Sequence, residues 1–214
     1  MNKKTLAGEI TRRLSDHYPT ADCSLDYDSA WKLLVAVRLA AQCTDARVNI
    51  VTEKLFELYP TAEALAACPQ EQLADIVRPC GLGNTKARDI KAAMGIIVST
   101  YGGRVPDNMD DLLALPGVGR KSANLILGDV YGLPAVVADT HCIRLSNRFG
   151  LCSSKDSRRV EDGLRALLDP NESNNFCHRL VLHGRAVCTA ARPNCAECFL
   201  NDICGEGLER TAKK

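Results

Sequence analysis

Four cysteines near the end of the chain, Cys188, Cys195, Cys198 and Cys204, follow a C-x6-C-x2-C-x5-C spacing. Four thiols in so short a run are the donor set of a metal site. Zinc sites commonly pair two Cys-x2-Cys knuckles and only one occurs here, yet zinc and a [4Fe-4S] cluster both accept four cysteines, so spacing alone leaves both open. Eleven cysteines in all is an odd count that suits a closed disulfide framework poorly. The other seven (Cys23, Cys43, Cys68, Cys80, Cys142, Cys152 and Cys177) are scattered, mostly in apolar stretches where a thiol packs as a small hydrophobe.

A second group of residues could handle an anion and a carbon electrophile. Leu115-Pro116-Gly117-Val118-Gly119 separates two amphipathic segments, Asp111–Ala114 and Arg120–Leu127. Two close glycines permit a tight turn and leave the amides opening the second helix free for a phosphate; a plain helix-helix turn is the simpler alternative. Lys121 falls at about the second position of that helix, where the dipole disfavours an ammonium and so favours the neutral amine a nucleophile needs. Most lysines are merely solvated. Asp139 precedes Thr140 and His141 at the start of a later helix. It is expected to cap that helix, and an ionised, partly buried carboxylate there could also stabilise positive charge developing on a sugar ring.

The elements that must position these groups read as helices. Apolar periodicity interrupted by Pro and Gly predicts helices over Leu6–His17, Ala30–Gln42, Asp45–Leu58, Glu71–Arg78, Lys86–Tyr101, Asp107–Ala114, Arg120–Tyr131, Thr140–Phe149, Asp156–Leu168 and Phe176–Val187. The strand-like run Ala135–Ala138 is short and has no partner, so the fold class is all-α. No repeat or long linker divides the 214 residues. Lys and Arg number 27 against 26 Asp and Glu, so no global basic field marks a nucleic-acid partner and any such role must rest on local features. The N-terminal segment has no uninterrupted apolar core, which predicts neither a signal peptide nor a membrane span.

Leu115 to Asn124, then Val137-Ala138-Asp139-Thr140-His141, then Leu182-His183-Gly184-Arg185 and the terminal cysteines occur in an order and spacing that resemble the endonuclease III family over nearly the whole chain. The resemblance implies a helix-hairpin-helix DNA glycosylase fold in which two helical domains flank a DNA-binding groove. It places a six-helix domain at 22–134 and a cluster domain formed by 1–21 with 135–214. It also implies a [4Fe-4S] cluster on Cys188, Cys195, Cys198 and Cys204, displacing zinc.

By the same resemblance Lys121 is the nucleophile and Asp139 the catalytic aspartate. Gln42 would fill the gap left by an extruded nucleotide and Leu82 would act as an apolar wedge. Gly117, Val118, Gly119, Arg120, His141, Arg185 and Arg192 are expected to meet DNA. The expected partner is double-stranded DNA carrying damaged bases or abasic sites, with no membrane association. The protein is expected to be a monomer in a prokaryotic cytoplasm. The implied activity is removal of damaged pyrimidines followed by β-elimination through a lysine Schiff base. Rival readings are a thymine-mismatch or photodimer glycosylase of the same fold, or a non-catalytic iron-sulfur DNA-binding protein. Adenine-mismatch glycosylases share the cluster and hairpin but lack a lysine at the Lys121 position. Cys43, Gly83 and Cys142 depart from the family pattern, and Gly83 beside the wedge puts the rigidity of that loop in question.

Overall fold

The computed structural model describes residues 1–211; residues 212–214, at the end of the expected cluster domain, lie outside the described residues. Among the described residues there are twelve α-helices: α1 Lys3–His17, α2 Ala30–Ala40, α3 Asp45–Leu58, α4 Ala62–Ala67, α5 Gln70–Val77, α6 Gly83–Tyr101, α7 Met109–Ala114, α8 Arg120–Asp129, α9 Thr140–Arg148, α10 Ser157–Arg165, α11 Ser173–Ala186 and α12 Gly205–Thr211. None of the described residues forms a strand, as the all-α reading expects, and the run Ala135–Ala138 is buried without regular secondary structure. No helix among them is long and apolar enough to cross a membrane.

The chain divides into two compact units. One comprises Cys23–Gly132. Its core takes Leu33, Val35 and Leu39 from α2, Val48 and Leu55 from α3, Leu73 and Val77 from α5, Ile90, Met94 and Ile97 from α6, and Ile126 from α8. In α5 and α6 these recur every three or four residues, and burying one face of each helix is what holds the unit, at roughly 1.5–3 kcal/mol per large side chain. The long helix α6 is the spine, with α4 and α5 packed against it.

The other unit comprises Met1–Asp22 with the chain from Leu133 onward. Helix α1 buries Ala7, Ile10 and Leu14 on one stripe and packs on α11, which also meets α9. The Asn2 side chain accepts the Thr5 amide at 2.9 Å and starts α1.

Two helices escape a reading by periodicity. Helix α4 has six residues, too few to establish a 3.6-residue repeat, although the Thr61 hydroxyl caps it by accepting the Ala64 amide at 3.1 Å. Helix α12 contains Gly205 and Gly207, which disfavour a helix by propensity. Gly207 fits closely all the same, because a Cβ there would lie 3.0 Å from the Asn201 main-chain oxygen and 3.3 Å from its Cα.

Several boundaries also move. Helix α2 stops at Ala40, so Gln42 lies beyond the helix that the periodicity extends through it. Helix α6 starts at Gly83 and α7 at Met109, α10 stops at Arg165, and α11 starts at Ser173.

Candidate functional site

Helices α7 and α8 form a helix-hairpin-helix. The Asn108 side chain caps α7 by accepting the Asp111 amide at 3.0 Å, and Val118 donates to the Leu115 carbonyl at 3.2 Å to close the turn. Gly117 has φ 77, a left-handed backbone that a side chain resists. A Cβ there would also lie 2.6 Å from Arg38 Nε and 2.9 Å from Asp89 Cβ. Gly119 precedes α8 and provides no side-chain cap for the first amides of α8, which lack partners within the helix and carry the positive end of its dipole. Arg120 is half-buried, Val118 is half-buried, and Gly117, Gly119 and Lys121 are exposed. Lys121 is the second residue of α8.

Beneath the hairpin lies a charged seat. Asp89 on α6 accepts Arg38 from α2 at 2.7 and 3.1 Å, and Arg88 at 3.0 and 3.2 Å on its other oxygen. Burial would raise the Asp89 carboxyl, but the two guanidinium groups outweigh burial and hold it below the ordinary carboxylate range.

The same unit presents Gln42 and Leu82. Both are exposed, and both are left-handed, with φ 58 and 53; among the described residues no other non-glycine has positive φ. Holding such a backbone costs on the order of 1 kcal/mol or more at each. The Lys86 ammonium is fully buried between their loops, donating to the carbonyls of Leu39, Ala41 and Cys80 at 2.7, 2.8 and 2.8 Å. Burial lowers it from the ordinary lysine value. Gly83 is a close fit, since a Cβ would meet the Ala74 carbonyl at 3.0 Å and Arg78 Cα at 3.2 Å, so this glycine packs tightly. Cys43 neighbours Cys80, whose thiol is pushed up to about 11 by burial and then by Cys43.

In the other unit Asp139 caps α9, accepting the Cys142 amide at 2.7 Å, as its sequence position predicts. The capping carboxylate is half-buried. His141 packs against α11 where a Cβ on Gly184 would fall 2.4 Å from its Nδ1, which explains the glycine in Leu182-His183-Gly184-Arg185. The same Nδ1 lies 3.2 Å from Arg144 Nη2, and Arg144 also donates to the carbonyls of Gly184 and Cys188. Cys142 is buried beside Cys177. Arg185 and Arg192 are exposed.

Cys188, Cys195, Cys198 and Cys204 line one pocket, walled also by Phe149, His183 and Val187. Among the described residues no three Cys, His, Asp or Glu side chains converge closely enough to hold one ion; the thiols are spread around the pocket wall instead. Each of three sulfurs meets a nitrogen: Arg148 Nη1 donates to Cys188 Sγ at 3.2 Å, the Gly207 amide to Cys204 Sγ at 3.4 Å, and His183 Nε2 lies 3.5 Å from Cys198 Sγ. Burial, then the charge of His17, pushes the His183 ring down to about 4. Burial pushes the Cys204 thiol up to about 11. Arg148 further donates to the Thr189 and Ala190 carbonyls, both at 2.8 Å, and pairs with Glu206 at 3.0 Å. Sequence reasoning missed Lys86, the Arg38–Asp89 pair and Arg148, because nothing in their spacing separates a buried cation from a solvated one.

The helical fold carries a hairpin between α7 and α8, and residues 35–170, which include it, match the family described as HhH-GPD superfamily base excision DNA repair protein. Endonuclease III of Synechocystis sp. is 45% identical over 204 residues, covering 95% of this chain and 93% of its own. Two solved structures superpose with a TM-score of 0.92 over 99% of this chain and 100% of theirs. They are a non-covalent endonuclease III–DNA complex, 38% identical, and a trapped endonuclease III–DNA covalent intermediate with an estranged adenine, 39% identical. The chain belongs to the endonuclease III family of the HhH-GPD superfamily.

Proposed function

We infer that the chain is a DNA glycosylase and abasic-site lyase that releases damaged pyrimidines from duplex DNA and cuts the strand 3′ to the lesion. The observation that carries this reading is Lys121, exposed on the first turn of α8 beside the glycine hairpin. The first amides of that helix supply phosphate binding that needs no excess of basic residues, in keeping with a formal net charge of +1.

A base within a duplex must leave the stack before its sugar can be reached, at a cost of roughly a few kcal/mol that a lesion reduces. Gln42 fills the gap and Leu82 wedges the stack, roles supported by their exposure on left-handed turns. The Lys121 amine attacks C1′, the C1′–N bond breaks, and the base departs with its electron pair and takes up a proton. The closed-ring aminal so formed opens at its C1′–O4′ bond, O4′ taking up a proton, and the resulting iminium acidifies C2′. Loss of a C2′ proton then expels the 3′ phosphate, and water releases the enzyme. Asp139, fixed by its cap bond to Cys142, stabilises the positive charge on the sugar as the base leaves.

The four cysteines would hold a [4Fe-4S] cluster. Four thiols spread around one pocket suit a body that bonds each sulfur through its own iron, and the Arg148, Gly207 and His183 nitrogens suit thiolate acceptors. When bound, the cluster supplies cross-links that order residues 189–194, the loop that carries Arg192.

Borohydride should trap the protein on a duplex containing thymine glycol, and Lys121→Gln should lose trapping and strand cleavage while still binding the duplex. Trapping that survives in Lys121→Gln refutes the assignment. Faster release from a G·T mismatch or a pyrimidine photodimer than from thymine glycol would move the substrate class.

A further inference from the structure

The buried Lys86 ammonium joins the ends of two elements. Leu39 and Ala41 close α2, and Cys80 ends the 3-10 turn Arg78–Cys80. Carbonyls at such ends lack partners within their helix and carry partial negative charge that favours a cation. An ammonium has three N–H donors, and here three carbonyls receive them, at 2.7, 2.8 and 2.8 Å.

Each of these ends runs straight into an exposed left-handed residue. Gln42 follows Ala41, and Leu82 lies two residues beyond Cys80. The Lys86 amide also donates to the Leu82 carbonyl at 3.0 Å, so one residue holds both turns by main chain and side chain together. Water could satisfy exposed loop carbonyls without burial of a cation. Separate waters would not, however, tie one loop to the other.

We propose that Lys86 is a positioning residue for base extrusion, a clamp whose buried ammonium holds the Gln42 and Leu82 turns in one shared geometry so that both side chains are presented to the duplex together. This rests on the reading of Gln42 as gap filler and Leu82 as wedge. Preorganised, the two turns need no ordering when they meet DNA. Lys91 on the same helix gives an internal comparison: it donates to the Ala66 and Cys68 carbonyls at the end of α4, where no left-handed residue follows.

The test uses the full-length, cluster-loaded protein. Single-turnover rates are measured on a duplex with a paired thymine glycol and on one with a preformed abasic site. Lys86→Met, Lys86→Gln and Lys91→Met are each compared, with and without Gln42→Ala/Leu82→Ala. Lys86→Met should slow the paired lesion by roughly tenfold or more and the abasic site by less than about threefold, whereas Lys91→Met should show no such selectivity. In the Gln42→Ala/Leu82→Ala background the selective loss should vanish. Equal losses on both substrates, or the same selective loss in that background, would overturn the clamp. Absence of selectivity in Gln42→Ala/Leu82→Ala itself would overturn the wedge reading and the clamp with it; selectivity there but none in Lys86→Met sinks the clamp alone. Should neither Lys86 variant fold, hydrogen exchange on the unsubstituted protein decides. The Cys43 amide, bonded to Ala40 at 3.1 Å, and the Gly81 amide, bonded to Arg78 at 2.9 Å, are then expected to open together, and protection differing by more than about tenfold counts against a shared clamp.

Discussion

Arg38 donates through Nε and Nη2 to a single oxygen of Asp89, at 3.1 and 2.7 Å, and this pair is the floor on which Gly117 rests. The long arginine side chain could move aside for a methyl group were it free, but the carboxylate pins it. Gly117→Ala should therefore meet both an unfavourable φ and a seat that cannot yield, lowering stability by roughly 1–3 kcal/mol. Denaturant unfolding with unchanged duplex affinity would contradict the hairpin as a phosphate site.

Asp89 makes the same seat pH-dependent. Its carboxyl titrates lower in the folded protein than in the unfolded chain, so its contribution is present above the ordinary carboxylate value and is lost as pH falls through the folded value. Near neutral pH the seat is intact. Asp89→Asn should cost roughly 2–4 kcal/mol at pH 7, and the deficit relative to the unsubstituted protein should shrink in acid, below about pH 4. Thermal unfolding at the two pH values checks the sign.

For Asp139, capping and catalysis can be separated by the choice of substitution. Asparagine caps about as well as aspartate, so Asp139→Asn should leave stability within about 1 kcal/mol yet slow base release by roughly a hundredfold. Asp139→Ala should lose the cap as well, at about 1 kcal/mol. Cleavage of a preformed abasic site should suffer less than base release in both. Equal slowing of the two reactions would instead assign Asp139 to proton transfer from Lys121.

The thiol pocket predicts about four irons per chain and visible absorption in the purified protein. One zinc and no iron would refute the cluster. Cys195→Ser should reduce folded yield more than rate per folded molecule. Arg148→Met, which removes the donors to Cys188, Thr189 and Ala190, should loosen the 189–194 loop and shift the cluster's reduction potential downward, since a cation near the sulfurs favours the reduced state. Voltammetry reads that shift directly.

Much of this protein is legible in its sequence because the signals are local. Proline and glycine stops, apolar periodicity and the Asp139 cap are properties of a few neighbouring residues, and they place the all-helical fold, the hairpin and Lys121 on the first turn of its second helix. Local signals do not tell what a side chain meets after the chain folds back on itself. Lys86 reads as one more solvated lysine, yet packing of α2, the Arg78–Cys80 turn and α6 leaves it with no exposed surface. Gln42 reads as the last turn of a helix, and only that packing leaves it beyond Ala40 in a left-handed turn. Cys43 and Cys142 read as departures from a pattern, and in the folded protein each finds a second thiol, Cys80 and Cys177. The spacing of the hairpin shows where a side chain would be strained, but the reason Gly117 admits no side chain is Arg38 and Asp89, which come from 79 and 28 positions earlier in the chain (117 − 38 and 117 − 89). Burial and partner choice are decided by contacts distant in sequence, and those exist only once the helices have packed.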